Sequence, residues 1–257
     1  MGYDGSDMFA LERIRIIRNF LLENRQVEVH ALSVMLDVSE VTIRRDLMKL
    51  EQDGFLTRTH GGAMLAEDKK LLSPIHSRRE ENLERKQAIA GQAREFISEG
   101  DTIFLDAGST CLLLAREIKQ MNIRVVTNSI DVMMELADAP EINLHTVGGS
   151  YRQDAGSFIG PVAEGNIERF QIGTCFTGAT GFSARGIFSS QNIIESRFKS
   201  AVLAASGRRV MLCDSTKYEK KAFSIFARSG DVDVLISDRD FQAAALFRSL
   251  GIEVILA

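Results

Sequence analysis

SEVTIRRDLMKLEQDG, residues 39–54, sets two adjacent arginines on a short amphipathic segment of a chain whose formal net charge is −4 at pH 7. Ser39 stands where a helix N-cap belongs, with Glu40 in the first turn, where the helix dipole favours an acid. Gly54 is a natural C-terminal breaker, so the segment is predicted to be a helix from about Glu40 to Asp53. At about 100° per residue, Ile43, Leu47 and Leu50 share one face and must be packed. Arg45, Val41 and Gln52 lie opposite, Thr42 and Lys49 occupy one flank, and Arg44 the other. Asp46 falls beside the apolar stripe and is expected to pair within its own domain. The outward face is therefore cationic and polar.

The flanking residues supply the rest of a small domain. Leu11, Ile14, Ile17, Phe20 and Leu21 recur at helical spacing with Arg13, Arg15 and Arg18 between them, and Val29, Leu32, Met35 and Leu36 follow as a second short helix. Two helices, a tight turn and a third helix with a cationic face make a helix-turn-helix, whose last helix fits the major groove. After it, Phe55 to Thr59 is strand-like and Gly61-Gly62 signals a hairpin, the wing of a winged helix, with Arg58 and His60 placed near a sugar-phosphate backbone. Residues 1–66 hold eight Lys and Arg against ten Asp and Glu, so there is no bulk basic footprint. DNA binding must come from where the charges point, and the competing reading is a trihelical interaction domain with solvated arginines.

Arg13, Ile17, Leu21, Ser39 and the run Thr42-Ile43-Arg44-Arg45-Asp46-Leu47, followed by RTHGGA at 58–63, resemble the N-terminal signature of the DeoR/GlpR family of bacterial transcriptional regulators. The resemblance implies a double-stranded DNA operator as partner. Thr42, Arg44 and Arg45 would approach base edges or phosphates, Ser39 and Lys49 the backbone, and Arg58 and His60 would act from the wing.

Residues 66–86, AEDKKLLSPIHSRREENLERK, are charged, low in apolar content and contain Pro74, and they read as a linker that enters a helix near Arg79. The expected domains are a winged helix-turn-helix over 8–65, the linker over 66–86, and an effector-sensing domain over 87–257. In that last part, short β-branched runs alternate with helices, which indicates an α/β fold with a largely parallel sheet covered on both faces. Ligands of such sheets bind beyond the carboxyl ends of the strands. Asp106 to Thr110, DAGST, ends a strand and opens a helix, so its amides with the Ser109 and Thr110 hydroxyls suit a phosphate. The Gly-x-x-x-x-Gly-Lys spacing of a nucleotide loop is missing. Asn128, Arg152, Asp214 and Lys217 fall at equivalent strand ends. Arg152 and Lys217 are candidates to neutralise a phosphate, and Asp106 and Asp214 to accept hydrogen bonds from sugar hydroxyls.

IFLDAGST, VVTNS, VGG with Arg152 nearby, TGATGFSARGIF and CDSTKY look like the C-terminal effector domain of the same family. That resemblance implies a fold like ribose-5-phosphate isomerase and a phosphorylated sugar or related metabolite as effector, bound at Asp106, Ser109, Thr110, Asn128, Arg152, Asp214 and Lys217. It also implies a homo-oligomer, dimer or tetramer, that represses a carbohydrate-catabolic operon until the effector releases it. Two positions depart from the family pattern: Cys111 follows Thr110, and DSTK stands for the commoner Asp-Ser-Ser-Lys. The alternative from another class is a phosphosugar isomerase. Its acid/base pair would be Glu195 with Lys199 or Asp214 with Lys217, although Glu195 and Lys199 at i, i+4 also look like a surface ion pair.

Composition bounds the remaining classes. Hydrophobic residues are 45% and charged residues 26% of 257, the balance of a globular protein long enough for two domains. No apolar run approaches the roughly 20 residues that span a membrane, and the polar N-terminus lacks a signal-peptide layout, so a cytoplasmic location is expected. Cys111, Cys175 and Cys213 are far apart, and the four histidines are scattered, so no disulfide, metal site or cofactor is expected. Cys111 lies near a helix N-terminus, where a thiol is sometimes activated, but a packed small side chain is the expected role.

Overall fold

The computed structural model describes residues 5–24, 26–52, 55–59, 61–65 and 81–257, arranged in two units, Met1–Arg78 and Arg79–Ala257. His60 and linker residues 66–80 lie outside the described residues.

The first unit contains α1 (Gly5–Asn24), β1 (Gln26–Glu28), α2 (Val29–Leu36), α3 (Glu40–Gln52), β2 (Leu56–Arg58) and β3 (Gly62–Leu65). Ile17, Leu21, Val29, Leu32, Ile43, Leu47 and Leu50 pack together, so the predicted stripes of the three helices meet in one core. Met35 is the exception. It was expected on the inner face of α2, yet it is 47% exposed, and Leu36 is only half-buried. The chain passes from α2 to α3 through Asp37 in the left-handed region (φ 52°), which a short polar side chain tolerates.

The wing has one strand more than the hairpin signal implies. β3 pairs antiparallel with β2 on one side and with β1 on the other, giving the order β1-β3-β2. Gly62 is required by that close pairing, because a Cβ there would stand 1.8 Å from the Val27 carbonyl oxygen. The three-residue β1 was not legible because it carries a single buried side chain, Val27.

The second unit opens with α4 (Leu83–Arg94), whose entry and first turn use residues 81–86 at the end of the stretch read as a linker. Seven strands then form one parallel sheet: β4 (Thr102–Leu105), β5 (Ile123–Thr127), β6 (Ile142–Thr146), β9 (Ile172–Thr177), β12 (Ser206–Leu212), β14 (Val234–Ser237) and β15 (Glu253–Leu256). Their order is β15-β14-β12-β9-β4-β5-β6. Successive strand residues face opposite ways. Ile103 and Leu105 join a core with α4, α5 (Ser109–Glu117) and α6 (Ile130–Leu136). Phe104 joins the other core, with α7 (Pro161–Ile167), α8 (Ile193–Ala204) and α9 (Ala244–Ser249). The sheet is thus buried on both faces, as its continuous apolar strands require.

Two antiparallel additions were not anticipated. β7 (Ser150–Arg152) and β8 (Ser157–Ile159) form a hairpin. Phe158 N–H donates to the Asn128 carbonyl at 2.7 Å, which holds that hairpin against the end of β5. β10 (Gly181–Ser183), β11 (Ile187–Ser190) and β13 (Ser224–Ala227) form a small sheet backed by Phe182, Phe188, Tyr218, Phe241 and Phe247, whose rings lie 5.4–6.3 Å apart. No described helix is long and apolar enough to cross a membrane.

Candidate functional site

Two places concentrate chemistry, one in each unit. On α3, Ser39 Oγ accepts from the Thr42 N–H at 3.3 Å and lies 3.0 Å from the Thr42 hydroxyl, so Ser39 caps the helix as its position predicts. Asp46 is buried and accepts from Arg13 Nε at 2.5 Å and Nη2 at 3.3 Å, the internal pairing expected of it. Arg18 sits over the Phe55 ring, 4.5 Å from its centroid. Two of the three α1 arginines therefore bind their own domain.

The outward cations differ in how free they are. Arg44 Nη2 donates to Glu40 Oε2 at 2.9 Å, and the same carboxylate lies 3.3 Å from His30. Arg58 donates its Nε to Glu51 Oε2 at 2.7 Å and its backbone N–H to Glu51 Oε1 at 3.1 Å, which staples the wing to α3. Those bonds hold the half-buried Glu51 carboxyl below its ordinary value. Arg45 and Lys49 are exposed and make no ion pair among the described residues. The acids of the third helix are thus engaged by a core arginine, a flank arginine and the wing, and the face left over is cationic.

In the second unit the strand order reverses between the parallel neighbours β4 and β9, and a crevice is expected outside the strand ends there. Asp106 ends β4 and is 2% exposed. Its Oδ2 accepts from Gly178 N–H, at the end of β9, at 3.3 Å, and from the Lys199 ammonium. Lys199 Nζ also donates to the Gly178 carbonyl at 2.9 Å and stands 3.8 Å from Glu195. Glu195 in turn accepts from Arg152 Nη1 at 2.5 Å, and Arg152 Nη2 donates to Asp154 at 2.7 Å. Burial alone would push the Lys199 ammonium down, but Asp106 and Glu195 overcome it and hold its pKa above the ordinary lysine value. Arg152 is held up in the same way, with burial opposed by Asp154 and Glu195.

The α5 N-terminus opens beside this chain of charges. Gly108 is its N-cap and no side chain caps it, so the first-turn amides keep their donor capacity. Asn128 Oδ1 accepts from the Ala107 N–H at 3.1 Å, which fixes the loop before the helix. Asp214, at the end of β12, caps the short turn Ser215–Lys217 by accepting from the Thr216 N–H at 3.2 Å. Burial pushes its carboxyl up, but Lys217, the Thr216 bonds and Lys86 draw it below the ordinary aspartate value.

The structure therefore brings Asp106, Ser109, Thr110 and Asn128 to one loop, with Asp214 and Lys217 at the end of another strand of the same sheet. Arg152 reaches the group only through Glu195 and Lys199, and its guanidinium is already held by two carboxylates. Glu195 and Lys199 are not the surface pair that their spacing suggests, because the Lys199 side chain is only 4% exposed. A wheel would have shown this: Lys199 lies three residues from Ser196 and from Val202, both buried. Cys111 is also settled. It donates to the Phe176 carbonyl at 3.5 Å and is fully packed, and burial pushes its thiol far up rather than down. Among the described residues no cluster of His, Cys, Asp and Glu fits a metal ion.

Residues 13–69 match the DeoR-like helix-turn-helix domain, and residues 81–239 match the DeoR C terminal sensor domain. The chain belongs to the DeoR family. It is a helix-turn-helix transcriptional regulator, similar along nearly its whole length to other members. The regulator GolR of Listeria innocua is 32% identical over 97% of this chain and 100% of its own. The lactose phosphotransferase system repressor of Lactococcus lactis is 35% identical over 88% of this chain and 90% of its own. The L-fucose operon activator of Escherichia coli is 31% identical over 91% of this chain and 97% of its own. Among solved structures, ribose 5-phosphate isomerase A of Methanocaldococcus jannaschii covers 55% of this DeoR-family chain and 56% of its own, with 20% identity and a TM-score of 0.41.

Proposed function

We propose that this protein is a cytoplasmic, homo-oligomeric repressor of a carbohydrate-catabolic operon, released from its operator by a phosphorylated sugar or a related metabolite. The observation that carries the effector reading is the uncapped α5 N-terminus next to the buried Asp106–Lys199 pair, with the charge of Lys217 acting on Cys111 in the first turn of α5. Amides and a cation there suit a phosphate, and the neighbouring carboxylates suit hydroxyls. Ser109 and Thr110 hydroxyls, Asn128, Asp214 and Lys217 complete the contact set, and Arg152 joins it if it leaves Glu195. Relatives named for lactose transport and for an L-fucose operon support a sugar-linked role. On DNA, Arg45 and Lys49 act first because they make no ion pair among the described residues, Thr42 and Arg44 flank them, Ser39 sets the helix start, Arg58 holds the wing, and His60 is a further candidate contact. Two copies reading half-sites one helical turn apart, about 34 Å, require at least a dimer.

The protein is not an isomerase in this reading. An enolising base needs a free carboxylate whose pKa lies near working pH. Here Asp106 faces Lys199, Glu195 faces Arg152, and Asp214 is drawn the opposite way.

The test is fluorescence anisotropy against DNA from just upstream of the protein's own gene, with random DNA as competitor, and then with sugar phosphates added. Competitor-resistant, salt-sensitive binding that one phosphate abolishes is the expected result. Absence of preferential binding to any such DNA would sink the reading, and the same phosphates would then be assayed for isomerisation.

A further inference from the structure

The loop Asp214–Lys217 has two hydroxyls, and each faces two ways. Ser215 Oγ donates to Asp238 Oδ1 at 2.8 Å and accepts from Arg85 Nη1 at 2.8 Å. Thr216 Oγ1 donates to Asp214 and accepts from Asn82 Nδ2 at 3.3 Å. Arg85 also donates to Asp240 at 2.7 Å and stands 3.6 Å from Asp238. The inner partners, Asp214 and Asp238, are buried at the strand ends. The outer partners, Asn82 and Arg85, are the entry and first turn of α4, the first element of the second unit among the described residues.

Asn82 shows how specific this arrangement is. It holds the left-handed conformation (φ 54°) at the N-cap of α4, where such a side chain usually turns onto its own helix. It makes no such bond and gives its amide to Thr216 instead. Lys86 adds a third link: it is 3% exposed, donates to the Glu81 carbonyl at 2.5 Å, and its charge acts on the Asp214 carboxyl. Asn82 and Arg85 are thus hydrogen-bonded to the same four-residue loop, across 134 and 130 positions of sequence.

We propose that Arg85, together with Asn82, is the coupling element that carries the state of the 214–217 loop to the chain segment leading from the DNA-binding unit. This rests on the reading of the crevice as the effector site. A ligand alters DNA affinity only through groups whose arrangement differs between two states. Asp214 and Lys217 are candidate effector contacts, and Ser215 and Thr216 lie between them in the loop. A shift of this loop toward a bound anion pulls on the Arg85 and Asn82 bonds, which tie the loop to the entry of α4. Charge-assisted bonds to a guanidinium fork are directional, so the loop and the helix entry move together.

The experiment uses the full-length protein in two arms. In the first, without ligand, amide hydrogen exchange is measured in wild type, Ser215→Ala and Arg85→Ala. Ser215→Ala is expected to speed exchange at residues 82–88, and Arg85→Ala at 214–218, each by about tenfold. Changes confined to the mutated segment overturn the coupling. In the second arm, ribose 5-phosphate, fructose 6-phosphate and inorganic phosphate are tested for melting-temperature shift and for release of DNA from upstream of the gene. For a phosphate that releases wild type, Arg85→Ala is expected to bind it within about threefold of wild type yet lose most of the coupling, which is typically 5- to 150-fold in such proteins. Arg85→Lys should restore part of it. Release of Arg85→Ala equal to wild type overturns the proposal. If no phosphate touches the wild type, the effector reading falls, and the first arm still decides the coupling. Should Arg85→Ala fail to fold, Asn82→Ala carries both arms.

Discussion

On α3, Arg45 and Lys49 stand in water while the acids are taken up by a flank arginine, a core arginine and the wing. At the strand ends of the sensor unit the opposite holds: Lys199 and Asp106 are almost wholly buried, and Arg152 is half-buried between Glu195 and Asp154. The first arrangement leaves charge available to a large polyanion at little cost in folding. The second commits charge to the fold, so that the groups at these strand ends are held in fixed orientations. One site is defined by what is left unpaired and the other by what is paired.

The sharpest way to break this comparison is to remove a buried partner. Lys199→Ala leaves Asp106 unpaired at the centre of the sheet and is expected to cost about 3–5 kcal/mol in urea unfolding. If it unfolds like wild type, the pair is not structural. Arg45→Ala on the exposed face is expected to do the reverse: unfolding should stay within about 0.5 kcal/mol of wild type. Its DNA affinity should fall by about 1–3 kcal/mol if the side chain reads guanine. Arg58→Ala should lose less DNA affinity than Arg45→Ala, because Glu51 already holds that guanidinium, and a larger loss would reassign the wing. Ser39→Ala removes the α3 cap and should cost about 1 kcal/mol of stability.

The pH dependence sharpens the same contrast. Asp214 is drawn below its ordinary value of 3.8 in the folded protein. Its contribution is therefore fully present above that value and is lost as pH falls through the folded one. Asp214→Asn should be less stable than wild type at pH 7, and the difference should shrink in melts taken below pH 4, on the order of the ordinary aspartate range. A difference that grows toward acid would reverse the assignment. The smallest effect is expected from alkylation. Cys111, Cys175 and Cys213 are buried with thiols pushed up, Cys175 to about 11, so the native protein should resist iodoacetamide until it unfolds.

How much of this was readable beforehand follows from the range of each interaction. The face of α3 rests on contacts within one or two turns, so spacing alone placed Ile43, Leu47, Leu50, the Ser39 cap and the cationic flank. The parallel strands were equally legible as continuous apolar runs. The inward face of Lys199 could be read off a wheel, but its partner Asp106 could not, because it is 93 residues away and only the folded sheet brings them together. Arg152 looked like a free phosphate ligand because its Glu195 partner lies 43 residues on. The hairpin β7–β8 and the sheet β10-β11-β13 are built of three- and four-residue strands, too short for periodicity to register.

The sheet order has a consequence for synthesis. β4 is the first strand of the seven-stranded sheet to be made, yet it lies in its interior, with β5 on one side and β9 on the other. Its second edge stays open until Ile172–Thr177 has left the ribosome, some seventy residues later, and Ile103 can meet Thr174. During that interval a nascent chain carries an apolar, unpaired strand edge, the kind of surface that recruits another strand. Translational pausing before β9 should therefore favour aggregation far more than the same pause placed after it.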